Sequence, residues 1–199
     1  MDVTHVAPHR LVNMTNQDEN SSAAVTGERA DLIESLRRHR GFLRQTTQGI
    51  TDEQARERTT VSELTLGGLI KHVAATEKSW VEFIVDGPAK GPDIDFENID
   101  WSNPPAEVLE FMNSHKLLET ESLAGALADY EKVAAETDAL VASLADLDAS
   151  QQLPDAPWFE SGTRWTARRT LLHVIAETSQ HAGHADIIRE ALDGQKTMG

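Results

Sequence analysis

Four long stretches of the chain repeat apolar residues every three to four positions, and each reads as one amphipathic helix. The first covers about 29–48, where Leu32, Ile33, Leu36, Phe42 and Leu43 keep the period. Gly49 then suits a helix stop, and Thr51 followed by Asp52 and Glu53 suits a cap or short turn. The second, about 65–86, puts Leu69, Val73, Thr76, Trp80, Phe83 and Ile84 on one stripe, and the run DGPAKGPD closes it. The third, about 116–146, carries Leu123, Leu127, Tyr130, Val133, Ala134, Leu140, Val141 and Leu144 on its apolar face. The fourth, about 166–192, has Thr166 as a cap and Gly194 as a stop.

Between the second and third stretches, residues 91–118 are acidic and broken by proline, which predicts an irregular connection with one short helix near 105–112. The run QQLPDAPWFESG before the last helix reads as a loop, with Trp158 and Phe159 exposed or folded over a cleft. Strand signals are almost lacking. The pattern therefore predicts an all-α fold, an up-and-down four-helix bundle with a long connection between helices two and three. Residues 1–28, rich in Asn, Ser, Thr, Asp and Gln, read as a poorly ordered tail before a single domain at 29–199.

Composition narrows the chemistry. The 199 residues include no cysteine. That removes disulfides, thiolate metal sites and a cysteine nucleophile, so any metal must be held by His, Asp, Glu or water. The formal charge of −15 works against binding a phosphate backbone, so no nucleic-acid partner is expected. No apolar run approaches the roughly 20 residues that span a bilayer, and the N-terminus lacks a secretory pattern. A cytoplasmic protein without a membrane partner is the expectation.

The last helix holds the densest chemistry, in LLHVIAETSQHAGHADIIRE. His173, Glu177, His181 and His184 follow one another at intervals of four, four and three, which fall on one helix face. The second helix adds His72 inside the apolar run LIKHVAA. If the two helices face each other, His72, Glu177 and His181 form a two-histidine, one-carboxylate set. Such a set suits zinc, and also iron, nickel or manganese. Taken singly, the helix-four residues also fit a solvated polar face, and His72 a hydrogen-bonded core histidine. Buried polar groups need partners, and these could be partners of one another.

The turns TLGGLIKHVAATEKSW and ETSQHAGHAD make the chain resemble the DinB-like family of metal-binding four-helix bundles, in the actinobacterial branch near mycothiol-dependent maleylpyruvate isomerase and related thiol S-transferases. The resemblance covers most of 30–194 and is weak between about 88 and 160. It implies that His72 is the helix-two ligand and that His181, opening the HAGH run, is the later ligand of the last helix. Many relatives place a second His four residues earlier; here Glu177 stands there, as in the isomerase branch.

Further implications follow from the resemblance. The activity would be a metal-dependent S-transfer or isomerisation using a low-molecular-weight thiol, such as mycothiol or bacillithiol, on an electrophilic small molecule. His184, where relatives have Gln, would be the catalytic proton shuttle or a group supporting the ligands. His173 is a structural residue and a reserve ligand. Asp186 is expected to face another helix or to pair with Arg189. Trp80 with Trp158 and Phe159 would wall an apolar pocket or simply pack, and Arg164, Arg168 and Arg169 would hold an acidic substrate or remain surface charge. A metal-dependent hydrolase, a non-catalytic metal-binding stress-response bundle and a homodimer also fit this fold.

Overall fold

Side-chain oxygens start four of the helices. In the computed structural model, which describes residues 25–89, 99–154, 156 and 159–197, helix α1 spans Glu28–Gln45. The short α2, Asp52–Arg56, opens on a complete capping box between Thr51 and Gln54. Thr65 caps α3, Leu66–Asp86, by accepting from Gly68 N. After α4, Ala106–Asn113, Ser122 caps α5, Leu123–Ser143. Thr166 caps α6, Ala167–Asp193, which ends at Gly194 in the left-handed conformation. Residues 1–24 of the tail expected at 1–28, residues 91–98 of the connection expected at 91–118, and Trp158 lie outside the described residues.

The molecule is mostly helical, as the periodicity predicts, with two departures. The third long helix begins at Leu123 rather than near 116. Residues 116–121 instead form a strap held to other elements. Lys71 Nζ donates to both Glu121 carboxylate oxygens at 2.7 Å and to Lys116 O at 2.8 Å. The Arg56 guanidinium reaches Leu118 O at 3.2 Å and Glu121 O at 2.5 Å. These long-range bonds outweigh the helical period of the sequence there. The second departure is a two-stranded antiparallel ribbon, β1 Ser150–Gln152 and β2 Arg164–Thr166, with Ser150 opposite Thr166. Three residues per strand are too few for an alternating pattern to stand out.

Four long helices make the core: α1 packs on α5 and α6, and α3 packs on the same pair. Their apolar stripes form two clusters. One gathers Leu43, Leu69, Ile70, Val73, Tyr130 and Ile188; the other gathers Leu32, Leu36, Val141, Leu171 and Val174. On every helix a polar residue falls between the two: Arg40, Glu77, Thr137 and Thr178 are all buried. Arg40 grips Glu77 with two bonds, Nη2 to Oε1 at 2.5 Å and Nε to Oε2 at 3.1 Å. Its Nη1 reaches Asp138 at 2.8 Å. One guanidinium thus ties α1, α3 and α5 together in the bidentate geometry that suits it. Among the described residues no helix is long and apolar enough to cross a membrane.

Candidate metal centre

Helix α3 delivers His72 two turns from its cap, and α6 runs beside α3, so the polar face of α6 meets that imidazole. His72, Glu177 and His181 each offer a ligand atom, and all three atoms lie within 4.8 Å of one another. The His72 and His181 rings stand edge to face, 4.8 Å between centroids. Among the described residues this is the one group of three or more such side chains that could hold an ion. The residues singled out by spacing are therefore brought together.

The face of α6 works as a ladder. Glu177 Oε2 lies 3.6 Å from His181 Nε2, and Glu177 Oε1 lies 3.7 Å from His173 Nε2. On the far side of His181, its Nδ1 meets His184 Nδ1 at 3.4 Å. Each side chain reaches the one a turn away, which intervals of four and three on a helix allow. His184 therefore sits behind His181, and His173 behind Glu177.

Burial, joined by the neighbouring His115 and His181, pulls the His72 imidazole down to about 4. Burial also lowers His181 and His173, with Glu177 acting in the opposite sense on each. At neutral pH the three rings are unprotonated. That is the form in which imidazole ligates a metal.

An aromatic group flanks the ladder. Trp80 stacks on Trp165 at 5.1 Å and 23°, and His173 stands edge-on to both rings at 4.9 and 5.0 Å. Trp80 also lines a cavity of about 470 Å³ with Phe83, Pro88, Pro154 and Phe159, and Glu82 and Asp86 stand at it. Trp80 and Phe159 thus line one cavity, as one of the two sequence readings has it.

The three arginines all have partners. Arg164 bonds Ser150, and Arg168 pairs with Glu28 and Asp148. Arg169 lies over the Trp165 ring at 4.1 Å. Asp186, expected to face another helix or to pair with Arg189, does not pair with Arg189. Its Oδ1 accepts from Thr197 N and Oγ1 at 2.6 and 2.7 Å, while Arg189 pairs with Asp193.

Two residues at this site carry no signal in the sequence. Trp165 belongs to the short β2 strand. His115, on the turn after α4, stacks on His72 with 4.1 Å between centroids. No period or motif marks that turn.

A solved structure of a conserved protein from Enterococcus faecalis has a TM-score of 0.60 at 16% identity, covering 85% of this chain and 99% of its own. The colibactin self-resistance protein ClbS, solved in complex with a double-stranded DNA, has a TM-score of 0.54 at 14% identity, covering 84% of this chain and 98% of its own. At such identities the likeness establishes the fold alone. No curated protein matches the sequence. The model of the mycothiol-S-transferase family matches residues 31–194, nearly all of the helical core and every residue of the His72, Glu177 and His181 group. The chain therefore belongs to the mycothiol-S-transferase family.

Proposed function

We propose that the protein is a divalent-metal-dependent transferase that joins a low-molecular-weight thiol of the mycothiol type to an electrophilic small molecule. The observation that carries this reading is the convergence of His72, Glu177 and His181 in a chain that has no thiol of its own. Two imidazoles neutral at working pH and one carboxylate are a donor set that zinc takes, and one from which nickel, iron or manganese is also held. Zinc ligands at about 2.0–2.1 Å in a tetrahedron stand about 3.4 Å apart. The 3.6 Å between Glu177 and His181 is already close to that.

A bound divalent ion would favour the thiolate form of a thiol beside it. The chain's own residues do the rest. Glu177 stands between His173 and His181, whose Nε2 atoms lie 3.7 and 3.6 Å from its two oxygens. His184 Nδ1 meets His181 Nδ1 and orients that ring, and its other ring nitrogen, Nε2, is the one left to pass the thiol's proton on to solvent. The sulfur forms its bond to the electrophilic carbon, the leaving group departs with the bonding electron pair, and the proton passes to solvent. The cavity walled by Trp80, Phe83 and Phe159 receives the apolar part of the electrophile.

In this reading the four long helices form the up-and-down bundle, with the long connection lying between α3 and α5. The protein works in the cytoplasm, either as one bundle or as a homodimer. The DNA seen with ClbS is not carried over, because a formal charge of −15 repels a phosphate backbone. The test is to incubate zinc-loaded protein with mycothiol and an electrophilic haloarene. A conjugate that needs protein, thiol and metal together supports the proposal. A rate unchanged by chelation, or turnover of an ester without thiol, rejects it.

A further inference from the structure

We infer that His115 is a substrate-contacting residue of this centre, holding the thiol cosubstrate beside the metal-ligand group without belonging to it. The inference rests on the reading above and adds a residue to it.

The position of His115 is built, not incidental. Its turn follows α4 and leads into the strap at 116–121. The strap is fastened to α3 through Lys71 and to α2 through Arg56. Just past the strap, the start of α5 is tied to α2 by Asp52 Oδ1, which accepts from Leu123 N at 2.7 Å. Beneath it lie two glycines of the first turn of α3. A Cβ on Gly67 would stand 2.7 Å from Leu117 Cδ2, and one on Gly68 would run into the His115 carbonyl. Only glycine lets the strap lie this close. The close approach brings the His115 ring onto His72, one turn further along α3.

The same stacking keeps His115 out of the ligand set. Two rings 4.1 Å apart and 24° from parallel point their in-plane lone pairs side by side. They cannot both converge on one ion at about 2.0–2.1 Å. His115 is instead an exposed ring at the rim of the group. Its Nδ1 is engaged by Ser114 Oγ at 2.8 Å. Among the described residues Nε2 has no hydrogen bond, so Nε2 is the nitrogen left for a ligand. An exposed imidazole one ring's thickness from His72 is placed to bond the polar head of a small thiol seated against the centre.

The experiment uses full-length protein loaded with cobalt(II), whose absorption spectrum changes when a thiolate enters its coordination. Metal content is measured first, and mycothiol is then titrated into wild type, His115→Ala, His115→Gln and Gly68→Ala. The expected result is one equivalent of cobalt in all four. His115→Ala then binds the thiol about tenfold more weakly or worse. His115→Gln stays within about threefold of wild type, because its amide keeps a hydrogen-bonding group at similar reach. Gly68→Ala, which keeps every imidazole but displaces the strap, weakens the thiol as His115→Ala does. Wild-type thiol affinity in a metal-loaded His115→Ala overturns the inference and leaves the proposed function standing. Loss of cobalt from His115→Ala overturns it by making His115 a ligand. A wild-type spectrum indifferent to thiol overturns both the inference and the functional reading beneath it.

Discussion

Replacing Arg40 by Met removes the cation from the centre of the polar layer and leaves Glu77 behind. Glu77 is 0% exposed, and both its oxygens accept from Arg40. A carboxylate stranded in such a place either stays ionised at a desolvation penalty or takes up a proton. The second course sets the magnitude. Keeping a glutamic acid protonated at pH 7, against an unfolded-state value near 4.3, costs about 3.7 kcal/mol. The variant should therefore lose about 3–4 kcal/mol at pH 7. The sign of the pH dependence follows. The lone acid is favoured in its protonated form in the folded state, so the penalty shrinks as pH falls toward 4.5, to under about 1 kcal/mol. The converse change, Glu77→Leu, should cost less, because Arg40 keeps Asp138 at 2.8 Å. Urea unfolding at pH 7 and pH 4.5, followed by circular dichroism, measures all of this. An Arg40→Met loss below about 1 kcal/mol at pH 7, or one equal at both pH values, refutes the reasoning.

Other outcomes follow from the same coordinates. Metal-free protein should lose stability on acidification from pH 7 to pH 5. His72 is held at about 4 in the fold against an ordinary 6.5, so the unfolded chain binds the proton first. Discounted for partial exposure, the effect is about 1–2 kcal/mol, and a flat urea midpoint across that range would contradict it. His173→Ala should weaken metal binding about tenfold or more by removing the ring whose Nε2 stands 3.7 Å from Glu177 Oε1 and limits where that oxygen can turn, as competition with a chelator would read; unchanged affinity makes His173 a packing residue only. Thr65→Ala removes the cap of the helix that carries His72 and should cost about 1 kcal/mol, detectable as a shifted melting temperature.

How much of this was legible in the sequence depends on range. The four long helices show in their periods because each buries one stripe. Their caps at Thr166 and Gly194 show because those residues satisfy or terminate the backbone locally. The group of His72, Glu177 and His181 needed one assumption beyond spacing, that α3 and α6 lie side by side, and they do. What stayed hidden depends on contacts distant in sequence. The strap is pulled out of helical conformation by Lys71 and Arg56, more than forty residues away. His115 reaches the centre only through that strap. Asp186 found the backbone of Thr197 instead of Arg189, which a helical interval could not foresee.

The central claim is that His72, Glu177 and His181 hold one ion, and the most direct measurement of it is bound metal per chain. Elemental analysis would be made on wild type and on His72→Ala, Glu177→Ala and His181→Ala, each first shown to be folded by circular dichroism. About one equivalent of divalent metal is expected in wild type and less than about a tenth of that in each variant. A wild-type protein that holds no metal, or folded variants that all keep a full equivalent, would contradict it.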